Sequence, residues 1–427
     1  MKNNSRLTFL AILGMLITAA CFLTDAIYQQ ELKQPADQSE PAVTIQTAVP
    51  TAAPTKDPWK NVEIRITGEE EVVFDWTTDR CDTENTPDFS ARAYRDAQGQ
   101  VHLFLSHFDW YRMSGPNLDS LQTDCTLLKS SAKNPDPSVF MDREWLGSIY
   151  TEDGQNLYVL VHNEYQGDLH ESQCPQNDSF ACLYNTITSM VSRDGGATYE
   201  YFPAPPGHLI ASLPYPYEAG AGPYGLRQPS NIVKARDGYY YVFLNSAAYR
   251  SDEQHACLMR TDNLADPASW RFWEREGFNG DFINPYTEQA EDKQANICPA
   301  FMFDQIGAQM TESVTYNTAM NRYVLVGISA DTINGREVWG FYYSTSKDML
   351  NWTRRKLLLE LPLPWTVNYS GTDLSYLYPS LLDPDSASIS FDTTDESAYL
   401  YYTRLNRGQG SLDRDLIRVP VEFIQTE

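Results

Sequence analysis

Three carboxylates stand where apolar, strand-like runs begin or end. Asp88 follows Pro87 and leads into a run that closes on Arg95-Asp96-Ala97-Gln98-Gly99. Glu164 ends another run in His162-Asn163-Glu164-Tyr165, a polar finish to an apolar segment. Glu312 opens a third, TESVTYNTAMNRYVLVGIS (311–329). At comparable openings and ends stand His107, His162, Arg227, Gln228, Asn245, Tyr378 and Arg404. Glycoside hydrolysis needs two carboxyl groups, one kept protonated and one ionised. Planar donors suit sugar hydroxyls, and aromatic rings suit the faces of a sugar ring. In this assignment Asp88 activates water, and Glu312 or Glu164 protonates the leaving oxygen.

Each residue has a structural alternative. Asp88 after a proline caps a turn. Glu312 is a loop glutamate at a strand start, and Glu164 is hydrogen-bonded within its sheet. Arg227 and Arg404 pair with nearby acids, the usual fate of an arginine among carboxylates, and His107 is a satisfied structural histidine. Trp110, Tyr111 and Trp365 would stack on sugars at a rim or simply pack loops.

These residues are far apart in the chain, so a repeated architecture must gather them. Five segments share a polar or Pro-containing opening, a short strand, a turn and a second strand rich in Tyr, Val, Leu and Phe. They span 86–107, 145–165, 227–245, 311–329 and 378–404. Their centres carry turn signals such as Asp153-Gly154 and Asp237-Gly238, flanked by β-branched and aromatic residues, as hairpins require. A second strand–turn–strand element follows three of them, at 189–202, 258–274 and 342–359, its last strand led by Tyr199, Trp270 or Trp352. Four strands per unit in about five units predict an all-β, five-bladed β-propeller. The openings Asp88, Ser148, Ser230, Ser313 and Ser380 lie 60, 82, 83 and 67 residues apart, so long loops must decorate the blades. The segment VEIRITGEEEVVFDW (62–76) is placed to complete the last blade and close the ring. In such a ring the openings and hairpin ends meet at one mouth.

The hairpins and the opening at Pro87-Asp88 resemble the five-bladed propeller glycoside hydrolases of the family 43 and 32 type. The resemblance covers roughly residues 60–425. It implies a general base at the Asp that opens the first inner strand, here Asp88, and a proton donor at Glu312. Ser192-Arg193-Asp194-Gly195-Gly196-Ala197-Thr198-Tyr199 is similar to the sialidase Asp-box, a turn in which Asp accepts backbone N–H bonds while Gly permits φ > 0. Asp194 and Asp348 are therefore assigned to turns. A sialidase is disfavoured, because no Arg-Ile-Pro stands near the start and no set of three arginines is clear.

Whole-chain properties bound the setting. The 427 residues carry 57 Asp+Glu against 32 Lys+Arg, a net charge of −25, which disfavours nucleic acid and anionic lipid as partners. Lys2 and Arg6 precede an uncharged stretch over 7–24, an export signal or a membrane anchor. Ile17-Thr18-Ala19-Ala20-Cys21 resembles a lipoprotein box. Residues 25–58 form a Pro/Thr-rich linker and 59–427 the propeller domain. Setting Cys21 aside, Cys81, Cys125, Cys174, Cys182, Cys257 and Cys298 form an even set, expected as disulfides in an exported protein. Nearest neighbours would pair as 81–125, 174–182 and 257–298, one of 15 connectivities. No metal-binding pattern is present, so no cofactor is expected, although the sequence leaves a structural cation in the channel open. The expectation is a monomeric protein outside the cytoplasm, held by its N-terminus, that hydrolyses terminal glycosidic bonds. A non-catalytic propeller that binds glycan or protein is the competing reading.

Overall fold

The computed structural model describes residues 61–175, 178–367, 373–408 and 410–426; the expected export signal or anchor (1–24), with its lipoprotein-box candidate, and the expected linker (25–58) lie outside them. The described chain is mostly β, and its α-helices, Trp76–Asp79 and Phe303–Ile306, are single turns. Its strands form four hydrogen-bonded sheets, of five, ten, five and four strands, and the ten-stranded one divides at a parallel contact into two antiparallel parts, giving five groups. β1 (Val62–Ile66) and β2 (Glu71–Phe74) come first in the chain but belong to the last group. The first group is β3 (Arg92–Arg95), β4 (Val101–Leu105), β5 (Asp109–Gly115) and β6 (Gln122–Ser130). The second holds β7 (Arg143–Thr151), β8 (Leu157–Gln166), β9 (Leu183–Ser192) and β10 (Glu200–Tyr201), with β11 (Leu209–Ala211) on β9. β12 (Tyr224–Arg227) and β13 (Val233–Lys234) pair with β14 (Tyr240–Ala247), followed by β15 (Gln254–Thr261) and β16 (Arg271–Phe272). β17 (Ser313–Asn317), β18 (Arg322–Ile333), β19 (Arg336–Ser346) and β20 (Lys356–Glu360) form the fourth group. β21 (Ser375–Leu382) pairs with β23 (Ser397–Leu405), and β22 (Thr393–Thr394), between them in the chain, crosses to β17. β24 (Arg414–Gln425) pairs with β23 on one side and with β1 and β2 on the other. The N-terminal strands thus complete the last group, as the segment 62–76 led one to expect.

The groups contact one another in a closed cycle. Ser106 Oγ donates to the Leu146 carbonyl at 2.9 Å, joining the first group to the second, and Ser148 Oγ donates to the Ser230 carbonyl, joining the second to the third. Asn231 exchanges bonds of 2.7 and 2.8 Å with Val314, Ser313 Oγ accepts the Leu381 N–H at 3.1 Å, and Ser380 Oγ returns to the Ala91 carbonyl at 2.9 Å. The serines that open the repeats are therefore inter-group staples. Between the second and third groups β12 also runs parallel to β9, and a Cβ at Gly225 (φ +118°) would overlap the Asn185 carbonyl, so this pairing demands glycine.

Buried apolar residues form one cluster at each interface. Tyr94, Phe104 and Trp110 meet Leu146, Ile149 and Val161 between the first and second groups. Val314, Leu325 and Tyr342 meet Phe243 and Leu258 between the third and fourth. Because inner strands are covered on both faces, β14 is buried along its whole length rather than alternating. At the centre Arg92, 2% exposed, donates to the carbonyls of Ala91, Gly147, Pro229 and Glu312, one from each of four groups. One side chain thus satisfies acceptors that the converging inner strands would otherwise leave buried and unpaired.

Three disulfides are formed, Cys81–Cys125, Cys174–Cys182 and Cys257–Cys298, which select the nearest-neighbour connectivity. They point to an oxidising, extracytoplasmic setting. Among the described residues no helix is long and apolar enough to cross a membrane.

Candidate active site

Asp88 sits on the segment between Cys81 and β3, held by its own N–H on the Ser106 carbonyl at 3.0 Å. Its carboxylate is an acceptor in every side-chain hydrogen bond it makes. Arg414 and the Tyr378 hydroxyl (3.2 Å) donate to Oδ1, and Trp145 Nε1 donates to Oδ2 at 3.2 Å. His107 Nε2 lies 3.6 Å from Oδ2. The oxygens open onto a cavity of about 310 Å³ whose other polar lining comes from His107, His162, Glu164, Gln166, Gln228, Tyr378 and Arg414. Phe89, Phe108, Trp145 and Leu377 supply its apolar walls.

Glu164 enters near the end of β8. Its Oε2 accepts from Gln166 Nε2 at 2.9 Å, and its Oε1 lies 3.7 Å from His162 Nε2, which itself contacts Asn185 Oδ1 at 2.9 Å. Burial pulls His162 below the usual imidazole range and takes His107 down to about 4, so both rings are neutral near pH 7. Phe89 and Trp145 flank His162 with ring centroids 5.9 and 5.8 Å away.

Gln228 (φ 51°) and Tyr378 (φ 61°) both hold left-handed backbones immediately before a Pro-Ser pair, at matching openings of the third and fifth groups. A non-glycine residue pays for that conformation, and such costs concentrate where a side chain must be aimed. At Tyr378 a β-bulge between Leu377 and Ser380 breaks the register with β23.

The other expected residues are placed differently. Glu312 does not line the cavity. It is 6% exposed, and its carboxylate accepts the Thr311 N–H at 3.0 Å and the Ile328 N–H at 3.2 Å, in a space that a Cβ at Gly327 would fill. Burial pushes it up to about 8, with Arg92 beside it pulling weakly the other way. The same burial draws Arg92 down to about 9. Arg227 lies behind the lining. It donates to Asn245 Oδ1 and Gln254 Oε1, both at 2.9 Å, while Asn245 Nδ2 reaches the Ala308 carbonyl at 3.0 Å. Arg404 is turned away, paired with the buried Asp415 at 2.8 Å, and Arg414 occupies the mouth instead. Trp110 (0% exposed) and Tyr111 are core, leaving no rim platform there, whereas Trp365 is 48% exposed with its ring 5.7 Å from Trp339.

Asp194 and Asp348 serve turns. Asp194 Oδ1 accepts the Ala197 and Thr198 N–H groups, and Asp348 Oδ1 those of Leu350 and Asn351. Thr151-Glu152-Asp153 repeats this geometry at a third corner, through the Gln155 and Asn156 N–H groups. Two residues bonded to Asp88 carry no signal in the one-dimensional pattern. Arg414 would have needed the register of β23 with β24, and Trp145 reads as an ordinary strand residue. Among the described residues no group of three or more His, Cys, Asp or Glu is arranged to hold a metal ion.

No family model and no curated protein matches the chain. Solved structures do. Zg3597, a family 117 glycoside hydrolase from the marine bacterium Zobellia galactanivorans, is 9% identical with a TM-score of 0.46, covering 86% of this chain and 92% of its own. An exo-1,5-α-L-arabinanase from a bovine ruminal metagenomic library is 10% identical (TM-score 0.45; 79% and 94% covered). The Cellvibrio cellulosa α-L-arabinanase complexed with arabinohexaose is 13% identical (TM-score 0.42; 78% and 91% covered). The chain is thus structurally similar, at low sequence identity, to glycoside hydrolases of the arabinanase and family 117 type.

Proposed function

We propose that the five cyclically joined groups are the blades of a five-bladed propeller, and that its mouth hydrolyses a terminal glycosidic bond of an oligo- or polysaccharide. Asp88 is the general base: every group bonded to it donates, so its remaining acceptor capacity is aimed at a water in the cavity. Glu164 is the proton donor in this reading, since it lines the same cavity, while the oxygens of Glu312 are taken up by backbone N–H groups. Trp145 and Tyr378 offer faces and a hydroxyl to the sugar, and Gln228 offers donors to its hydroxyls, the single N–H of the neutral His162 being given to Asn185 Oδ1. The single observation that carries this reading is the meeting of Asp88 and Glu164, from different groups, on one cavity. A volume at the low end of the ~300–1,000 Å³ typical of small-molecule sites suits the end of a chain better than its middle. The same reading takes residues 1–24 as an export signal or anchor, 25–58 as a tether and 59–427 as a monomeric catalytic domain at the cell surface.

A second reading rests on Asp88 itself: Arg414, Tyr378 and Trp145 already bind it, as they would in a propeller that binds glycan without cutting it. A panel of aryl glycosides separates the two. Hydrolysis by the wild type that falls by roughly 10²–10⁴-fold in Asp88→Asn is expected. Equal rates in the two proteins would remove Asp88 from the mechanism, and glycan binding with no turnover would favour the second reading.

A further inference from the structure

The fourth group carries a hairpin that overreaches its inner strand. β17 pairs with β18 only from Asn317↔Arg322 to Ser313↔Val326, whereas β18 and β19 stay paired as far as Ile333↔Arg336. Asn334 (φ 53°) and Gly335 (φ 77°) close the hairpin with the Asn-Gly turn that suits the twist of two paired strands. β17 opens at Ser313, and the matching openings of the third and fifth groups bring Gln228 and Tyr378 to the cavity. The overhang therefore stands at the cavity end of its group.

Beside the overhang lies an open groove of about 630 Å³. Trp339 of β19 and Leu361 and Pro362, which follow β20, form its apolar wall, and Arg336, Glu337 and Glu360 form its rim. Arg336 donates two hydrogen bonds to the Glu360 carboxylate, at 2.6 and 2.9 Å, and Trp339 Nε1 donates to Glu337 Oε2 at 3.0 Å. Trp365 stands edge-on to Trp339 and is half-exposed. A turn presents it to solvent: the Leu363 N–H donates to Thr366 Oγ1 and the Thr366 N–H to the Leu363 carbonyl, both at 2.9 Å. Aromatic surface left open beside a polar rim marks a binding groove.

This groove adjoins the cavity. The Pro362 carbonyl accepts the Tyr376 N–H at 3.0 Å, and the next two residues, Leu377 and Tyr378, line the cavity. Trp339, Leu361, Tyr376 and Tyr378 pack against one apolar cluster. Two residues of strand advance about 7 Å, so only the start of β21 separates the two hollows. At about 310 Å³ the cavity holds the end of a glycan, and the rest of the chain must leave across the mouth. The groove's rim carries two carboxylates and one guanidinium, in a protein of net charge −25, which favours an uncharged glycan over an acidic one.

We propose that the groove is a second sugar-binding subsite, holding the body of an uncharged oligo- or polysaccharide whose end lies in the cavity of Asp88 and Glu164. Trp339 and Trp365 offer aromatic surface to sugar rings, and Arg336, Glu337 and Glu360 offer planar donors and acceptors to hydroxyls. The proposal rests on the glycoside hydrolase reading and adds the part of the substrate that the cavity cannot hold.

Two measurements test it, and they fail separately from the parent reading. The first compares kcat/KM on unbranched neutral oligosaccharides, from disaccharide to hexasaccharide, with kcat/KM on aryl glycosides of the same sugars. The wild type is expected to favour the longer substrates. Trp339→Ala and Trp365→Ala are expected to lose roughly tenfold more on the hexasaccharide than on the aryl glycoside, and Trp339→Phe, which keeps a ring, to lose less. Cleavage without preference for length, or equal losses on both substrates, overturns the subsite and leaves the parent reading standing. The second is calorimetric titration of the same oligosaccharides into full-length Asp88→Asn, which needs no turnover. Binding that weakens when Trp365→Ala is added supports the groove even if the wild type cleaves nothing, a result that would sink the parent reading alone. Binding indifferent to the groove substitutions, or no binding of any oligosaccharide, overturns the proposal. A dimer in solution that Trp365→Ala dissociates would give the groove to a second copy of the chain and overturn it as well. Thermal unfolding shows that the variants are folded, and the exposed Trp365 keeps both measurements decisive should Trp339→Ala fail to fold.

Discussion

Neighbouring glutamates in this protein face different demands, and backbone geometry sets them. Glu164 keeps a side-chain partner and a place on the cavity; Glu312, at the opening of β17, is buried on two backbone N–H groups. Burial takes Glu312 from an ordinary 4.5 up to about 8. Between those values the folded protein keeps a proton that the unfolded chain gives up. The stability that this group contributes is therefore complete below about pH 4.5 and is lost as pH rises through about 8. Glu312→Gln preserves the neutral form. The difference in unfolding free energy, variant minus wild type, is expected to rise between pH 5 and pH 8 in denaturant titrations. A difference that stays flat over that range would show that Glu312 is ionised in the folded protein. At this scale the sequence was a partial guide. Asp88, Glu164, His107, His162, Gln228 and Tyr378 were legible because polar residues at the ends of apolar runs are conspicuous. Arg404 and Arg414 were not separable, because the pleat decides between them. Arg404 stands across from Asp415, whereas Arg414 stands across from Leu405, and adjacent positions point to opposite faces.

Among the elements, the hairpins were the most readable feature, since their turns and apolar strands come in one local package. The closing pair β1 and β2 was readable for the same reason, as two strand-like runs with no partner of their own nearby. The pairing of β12 with β9 was hidden, because a parallel contact between separate hairpins leaves no local signature beyond Gly225. The segment that carries Glu84 and Asp88 is not a regular element, and Cys81–Cys125 fastens its start to β6 across 44 residues. Closing a loop of that size stabilises by roughly 3–4 kcal/mol on a chain-entropy basis. The Cys81→Ala/Cys125→Ala variant is expected to unfold at a clearly lower denaturant midpoint. It should also lose more activity than the Cys174→Ala/Cys182→Ala variant, whose loop carries no cavity residue. Equal losses would mean that the first bridge does nothing particular for the segment bearing Asp88.

For the molecule as a whole, the decisive feature is the cycle. Five interface cores take the place of one central core, and the middle is left to polar chemistry: Arg92 gathers carbonyls from four groups, and above it the cavity collects side chains that are up to 326 residues apart, as Asp88 and Arg414 are. Neither could be deduced from the repeats alone, since a repeat pattern predicts convergence but does not say which side chains fill the axis and which line the mouth. The most direct test of that arrangement is a crystal structure of Asp88→Asn soaked with a glycoside of the kind the proposed activity would cleave. The scissile oxygen is expected between residue 88 and Glu164, with a sugar ring against Trp145 and Tyr378. A sugar bound elsewhere on the molecule, with this cavity empty, would contradict the account.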